Sequence, residues 1–362
     1  MTHRSLRVEE LERRDTPVVT LAPGFPPPLA VSGPADGVVT LFPASFSTGQ
    51  FLTTQPTPVV PFPGFAGTVR TAFADVNADA IPDLIAVTGP GVPIRVAVVS
   101  GKDNSTLLVA PFDPFGGDFT GGGFVTAADL DHDGRAEFVV TPDRGGGPRV
   151  SIFSLNPDGT VVIRANFFGI DDPNFRGGAR SAAGDVNNDG VADLAVAAGF
   201  QGGPRIALFD GKTVFSATPT RLVSDFFAFE DTLRNGAFVT IGDIDADGFG
   251  DLIFGGGPGG SPRVLGISGH ALLTSGAVAA IAGPLTNFFV AGDTTDRGGV
   301  RVATTDADGD NKAELAVGSG EGSPSRVRVY YGKNFGATGE PAGFQDLDPF
   351  AGAVLADGVY VG

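Results

Sequence analysis

Hydrophobic residues along this chain come in short bursts, separated by polar, glycine-rich stretches. In FVTAADLDHDGRAEFVVT (124–141) two apolar segments of β type flank an acidic turn. A glycine-rich turn, an arginine and a third apolar run follow in GGGPRVSIF (145–153), and a fourth segment ends in paired phenylalanines, NFFG (166–169). The order recurs. QGGPRIALF (201–209), GSPRVLGI (260–267) and SPSRVRVYY (323–331) repeat the third segment, and DFFAF (225–229) and NFFV (287–290) repeat the fourth. The acidic turn itself recurs as DVNADAIPDL (75–84), DLDHDGRAEF (129–138), DVNNDGVADL (185–194), DIDADGFGDL (243–252) and DADGDNKAEL (306–315), spaced 54, 56, 58 and 63 residues apart.

Four short strands per unit, joined by turn signals, predict an all-β propeller of four-stranded antiparallel blades. LAVSGPADGVVTLF (29–42) matches the second and third strands of a unit, and FAGAVLADGVYVG (350–362) matches the start of one. One blade shared by the two termini would close a ring of six and leave no free sheet edge. Seven is the alternative if the last segment folds as its own hairpin through Asp357-Gly358. No segment of helical period interrupts the pattern, so residues 29–362 read as one propeller. Residues 1–28, charged and then proline-rich, read as a tail, a candidate targeting or processing segment.

Composition supports this reading: 55 Gly, 28 Pro and 42% hydrophobic residues suit many short strands around a sizeable core. A formal charge of −17, from 24 basic and 41 acidic residues, speaks against a nucleic-acid partner. No apolar run is long enough to span a membrane. Cysteine is absent, which removes disulfides, thiolate metal sites and cysteine nucleophiles.

The acidic turn begins like an EF-hand loop but ends differently. An EF-hand needs a bidentate acid at loop position 12, where this chain has Ala86, Val140, Val196, Phe254 and Val317. The last acid sits at position 9, so the loop must be the turn of a β-hairpin. Oxygen donors still gather at positions 1, 3, 5 and 9, with a backbone carbonyl available at position 7. The candidate metal ligands are Asp75, Asn77, Asp79 and Asp83; Asp129, Asp131, Asp133, Arg135 and Glu137; Asp185, Asn187, Asp189, Val191 and Asp193; Asp243, Asp245, Asp247, Phe249 and Asp251; and Asp306, Asp308, Asp310, Lys312 and Glu314. Arg135, Val191, Phe249 and Lys312 would ligate through their carbonyls. An all-oxygen set in a flexible loop favours Ca²⁺ over Zn²⁺ or Mg²⁺. Gly134, Gly190, Gly248 and Asn311 suit a left-handed backbone at position 6. The first loop has Ala80 there and Asn77 at position 3, and should be the weakest of four to five sites. The five loops hold 18 of the 41 acids. At a dissociation constant of about 10⁻⁴ M, millimolar calcium would stabilise each hairpin by roughly 2 kcal/mol. Cytosolic calcium would leave such loops empty, which points to an extracellular or cell-surface protein, with the periplasm as a variant.

These in-register D-x-[DN]-x-D-[GN]-x-x-[DE]-[LF] loops resemble FG-GAP or VCBS repeats, the blade sequence of integrin α-chain propellers and of many bacterial secreted proteins. The resemblance covers about residues 29–362 and implies Ca²⁺ in the hairpin loops. A brief stretch, VEELERRDTP, also resembles a short segment found ahead of secreted proteins in some environmental bacteria.

Arg95, Arg149, Arg205, Arg263 and Arg326 recur on the face opposite the acidic loops, as a ring for acidic ligands or as partners of Asp or backbone carbonyls in adjacent blades. The phenylalanine pairs are expected to fill the contacts between blades. His3, His132 and His270 neither recur nor adjoin a nucleophile, and GGGPGG (255–260) leads into a strand, which does not support a dinucleotide fold. The reading is therefore a non-catalytic, monomeric adhesion or ligand-binding module for an extracellular protein or glycan. The alternative is a lectin or a calcium-dependent polysaccharide lyase. A lyase would need a non-repeated basic or aromatic cluster in the central channel, and none stands out along the chain.

Overall fold

The computed structural model describes residues 27–362 apart from Asp118, so the tail reading of residues 1–26 lies outside the described residues. Six four-stranded antiparallel sheets surround a central axis. Blades 1 to 5 begin with the inner strands Val69–Ala74, Gly123–Ala128, Ala179–Gly184, Ala237–Gly242 and Val300–Thr305. Blade 6 is shared by the chain ends: Tyr360–Val361 is its inner strand, and Leu29–Ser32, Val39–Phe42 and Thr57–Val59 follow outward. Val361 pairs with Val31 and Tyr360 with Ser32. The segment before Tyr360 is therefore no hairpin of its own, and the count is six.

The second strand of each blade explains the continuous apolar runs. Asp83–Thr88, Glu137–Pro142, Asp193–Ala198 and Asp251–Gly256 are buried at every position, because each sheet packs on a neighbour at both faces. Each fully buried Val, Leu, Ile or Phe contributes roughly 1.5–3 kcal/mol. Outer strands have one wet face, and there the period of two returns.

That period corrects the expectation for the phenylalanine pairs. Phe167, Phe226 and Phe288 point inward and meet Phe209, Phe254 and Tyr330 of the next blade edge-on, at 5.0, 6.2 and 4.8 Å between ring centroids. Their neighbours point the other way: Phe168 and Phe227 are 51% and 44% exposed. Successive side chains in a strand face opposite sides, so only the first member of each pair can fill the inter-blade contact.

Two short helices, Gly269–Ser275 and Ala277–Ala282, interrupt blade 4, where no helix was expected. The Ser268 hydroxyl accepts from Ala271 N at 3.1 Å and caps the first. Leu272 and Ala280 anchor the pair in the core, and Gly276 makes the turn between them at φ +82°. Their apolar stripe is too brief to show as a helical period. No helix among the described residues is long and apolar enough to cross a membrane.

Blades approach closely where each inner strand begins. At Gly178 (φ +76°) a Cβ would lie 2.5 Å from Pro142 O of the preceding blade, so only glycine fits there.

In urea titrations, Phe226→Ala should cost about 3 kcal/mol, whereas Phe227→Ala in the same strand should cost under about 1 kcal/mol. Equal losses would contradict the one-in, one-out arrangement.

Candidate metal centres

Each acidic loop joins an inner strand to the second strand of its blade. Position 9 is the first residue of that second strand: Glu137 faces Ala128, Asp193 faces Gly184 and Asp251 faces Gly242 across the ladder. The turn is built by the carboxylate at position 1. Asp129 accepts from Asp133 N (3.1 Å) and Gly134 N (2.9 Å). Asp185 does the same with Asp189 N and Gly190 N, and Asp243 with Ala246 N and Gly248 N. Asp306 accepts from Gly309 N and Asn311 N, and Asp75 from Asp79 N and Ala80 N. To present these N–H groups the chain turns left-handed at two positions. Position 6 was expected; position 4 was not, yet Ala78, His132, Asn188 and Ala246 have φ of 62°, 60°, 56° and 65°. Such backbone is costly for residues with a Cβ, and the bonds to position 1 hold it. His132 is exposed at this bend.

Position-5 carboxylates serve the turn as well. Asp79, Asp133, Asp189, Asp247 and Asp310 accept from the N–H of Ile81, Arg135, Val191, Phe249 and Lys312 at 2.9–3.1 Å. Three of the loops bring carboxylates from positions 1, 3 and 9 within 4.8 Å of one another: Asp129, Asp131 and Glu137; Asp243, Asp245 and Asp251; and Asp306, Asp308 and Glu314. These clusters could hold a metal ion. Loops 1 and 3 carry Asn at position 3. Asn77 is engaged with Asp79 through both ends of its amide. Asn187 instead leaves its Oδ1 buried without a partner among the described residues, an oxygen disposed to ligate.

The position-9 acids are the most constrained. Asp83, Asp193 and Asp251 are fully buried, and Glu137 and Glu314 nearly so. Each accepts a backbone N–H from position 2, such as Ile244 N to Asp251 (2.9 Å) and Ala307 N to Glu314 (2.7 Å). The three aspartates also take the N–H of a glycine at the end of the third strand: Gly101, Gly211 and Gly269. Glu137 takes the Ser154 hydroxyl in place of that glycine, at 2.8 Å. Burial nevertheless dominates. It raises Asp83 to about 6, Glu137 and Asp193 to about 7, and Asp251 and Glu314 to about 8. Adjacent loop acids add to the rise. A cation among these oxygens would remove both penalties.

Basic side chains from the outer part of each blade reach some loops, which the residue pattern did not reveal. Arg164 sits 2.8 Å from Asp131 and 3.7 Å from Glu137. Lys212 sits 2.8 Å from Asp189, and Lys333 lies 3.7 Å from Asp308. In loop 4 no Lys or Arg among the described residues pairs with Asp243, Asp245 or Asp251, and His270 stands 3.9 Å from Asp247. Loop 4 thus has the donor set best suited to a metal ion, followed by loop 5. Loop 2 already has a guanidinium as counter-charge.

On the opposite face, the recurring arginines pair within their own blades rather than across to the next. Arg205 meets Asp225 at 2.7 Å, Arg149 Nε donates to Asn166 Oδ1, and Arg95 lies 3.8 Å from Asp113. Arg263 bonds Asn287 and also reaches Glu230 of the preceding inter-blade segment. Arg326 is exposed; it is Arg328, two residues on, that clasps Asp346 and Glu340. Arg149 borders a cleft of about 570 Å³, lined by Phe115, Phe119, Phe167, Phe168 and Arg176.

The central channel corrects a second expectation. It does hold a non-repeated basic and aromatic cluster: the second residue of successive inner strands is Arg70, Phe124, Arg180, Phe238 and Arg301, and Tyr360 completes the ring. The signal was present in VR, GF, AR, AF, VR and Y at the strand starts. It shows only once the strands are aligned around an axis.

Residues 129–196 and 185–254 match the FG-GAP-like repeat family, so the chain carries FG-GAP-like repeats within its six-bladed propeller. No curated protein matches it. Among solved structures, a functionally unknown protein from Desulfotomaculum acetoxidans is 13% identical, with a TM-score of 0.50 over 95% of this chain and 90% of that one. A lectin from Agrocybe aegerita, described for recognition of non-reducing terminal N-acetylglucosamine, is 16% identical with a TM-score of 0.49 over 95% and 96% of the two chains. A Bacillus licheniformis rhamnogalacturonan lyase is 13% identical, with a TM-score of 0.36 over 92% of this chain and 65% of that one. At 13% identity, the likeness to the Desulfotomaculum acetoxidans protein is one of fold.

The raised position-9 acids set a pH dependence. Their folded forms bind protons more tightly than the unfolded chain does. The metal-free protein therefore has the full stabilising contribution of these five acids below about pH 4, the ordinary carboxylate range. It loses that stability as pH rises through about 6 to 8. In a chelator, the melting midpoint should fall between pH 5 and 9, and Glu314→Gln should reduce the fall. An unchanged slope in the variant would remove Glu314 from this account.

Proposed function

We propose that this propeller is a calcium-binding, non-catalytic recognition module that works outside the cell and binds its partner on the face opposite the acidic loops. The observation that carries this reading is the set of three-carboxylate clusters, each anchored by a buried position-9 acid. Oxygen-only ligands, without His or Cys, suit a hard cation of flexible coordination. Asp243, Asp245 and Asp251 would hold one ion, and Asp306, Asp308 and Glu314 another. Asp185, Asn187 and Asp193 offer a third set with one amide oxygen, and Asp129, Asp131 and Glu137 a fourth in competition with Arg164. The bound cation supplies positive charge that lets these acids ionise while still buried. The protein's own part is to hold the hairpin rigid at the inner edge of each blade. Sites of this kind fill at millimolar calcium, which favours an extracellular setting.

A second reading, recognition of a carbohydrate, is favoured by the cleft at Arg149. Phe168 offers an exposed ring beside two guanidinium groups there, an arrangement able to stack on a sugar and bind its carboxylate.

Calcium should raise the melting midpoint and EDTA should reverse it. Equilibrium dialysis with ⁴⁵Ca should count at least two ions per chain, and Asp245→Ala should lower the count by one. An unchanged midpoint, together with no bound calcium at millimolar concentration, would sink the metal reading. For the carbohydrate reading, titration with acidic oligosaccharides should show binding that Phe168→Ala weakens about tenfold. Release of unsaturated products would instead show a lyase.

A further inference from the structure

The ring at the channel axis has a chemistry that neither the acidic loops nor the outer cleft requires. Three arginines alternate with three aromatic residues, one from each blade. Arg70 lies 4.1 Å from the centroid of Phe124 and 4.7 Å from that of Tyr360. Arg180 lies 5.3 Å from Phe124 and 4.0 Å from Phe238. Arg301 lies 5.2 Å from Phe238 and 5.0 Å from Tyr360. Every guanidinium is thus placed between two aromatic rings. The arginines themselves are 4%, 4% and 2% exposed.

Counter-charge around the ring is uneven. Arg70 has Asp143 at 2.7 Å, the Tyr360 hydroxyl at 3.0 Å and Gly123 O at 2.8 Å. Arg301 has backbone oxygens, including Asp357 O at 2.6 Å, and Glu321 at 3.7 Å. Arg180 donates a single hydrogen bond, to Ala237 O at 3.0 Å, and has no carboxylate within 4.0 Å among the described residues. The Nε atoms of all three arginines are buried without partners among the described residues. Burial holds the Arg180 guanidinium down to about 10, and Arg301 and Arg70 add to that, against the opposing pull of Asp143. Isolated buried charges are costly, and cation–π contacts offset only part of that cost.

The ring sits near the start of the inner strands, at the end of the channel away from the acidic loops. Two residues further along the same strands stand Ala72, Thr126, Thr240 and Ala303, which are small and keep partial solvent access. Above the cationic, aromatic ring the inner strands therefore present small, partly exposed side chains, with Ala182 at the same position buried.

We propose that this ring is a binding site for a small oxyanion, a carboxylate or phosphate group, centred on Arg180 between Arg70 and Arg301. The anion supplies the counter-charge that Arg180 lacks and accepts from guanidinium N–H groups, whose planar fork matches an oxyanion. The site is independent of the metal and cleft readings above.

Equilibrium dialysis of the metal-free protein, at constant ionic strength in chloride, tests the site with two probes: ³²P-phosphate and ¹⁴C-malonate. One of them should bind at one per chain, which also separates phosphate from carboxylate chemistry. Arg180→Gln should weaken it at least tenfold, and the surface control Lys102→Gln should not. Should Arg180→Gln fail to fold, ¹⁵N-arginine-labelled wild type gives the same answer, because the bound probe should shift three protected Nε–Hε signals in a saturable manner. Absence of stoichiometric binding of either probe, equal binding by Arg180→Gln, or unmoved Nε–Hε signals would overturn the proposal.

Discussion

Burial of both faces of every blade is the constraint on which the rest of this molecule depends. A single four-stranded sheet with the second strand LIAV, FVV or LAVAA exposes two apolar faces and cannot stand alone. Each face is satisfied only by the next blade, so the chain is stable only as a closed ring. The split blade follows from that requirement. Tyr360 and Val361 complete the sheet begun by Leu29–Ser32, and the last open edge disappears. The Gln345 side chain adds an outer tie, accepting from Phe51 N at 2.8 Å and donating to Phe51 O at 2.7 Å.

Close packing at the inner edge leaves little room for a turn, and this accounts for the acidic loops. The hairpin must reverse within a few residues at the narrow end of a wedge. Aspartate at position 1 folds the loop by collecting its N–H groups, and two left-handed residues let them converge. The position-9 acid is drawn under the turn because position 2 and the end of the third strand both present donors there. The carboxylates are thus assembled for structural reasons first. Their mutual repulsion and burial are penalties that a bound cation would relieve.

The axis meets a different demand. Six inner strands converge on it, and their second residues need volume to close one end. Alternating guanidinium and aromatic groups provide that volume, since a planar cation stacks on a ring face. The repeat is broken there: five loops keep nearly one sequence, while the ring alternates in chemistry from blade to blade. Equivalent backbone positions therefore carry distinct roles in the axial ring and similar roles in the acidic loops.

Strand number, the acid that ends each hairpin at position 9 and the blade shared by the termini were legible in the amino-acid order, because each is a local pattern that repeats in register. The brief helices at 269–282 escaped notice, since two turns of apolar residues resemble a strand run. Which phenylalanine of each pair enters the core required the strand's orientation. That Arg164 and Lys212 reach loops 2 and 3 required the fold of the blade. The ring of Arg70, Arg180 and Arg301 spans residues more than 200 positions apart. Sequence determines what recurs along the chain; the tertiary structure alone decides which non-recurring side chains meet, because only ring closure brings one residue from each blade to a common axis.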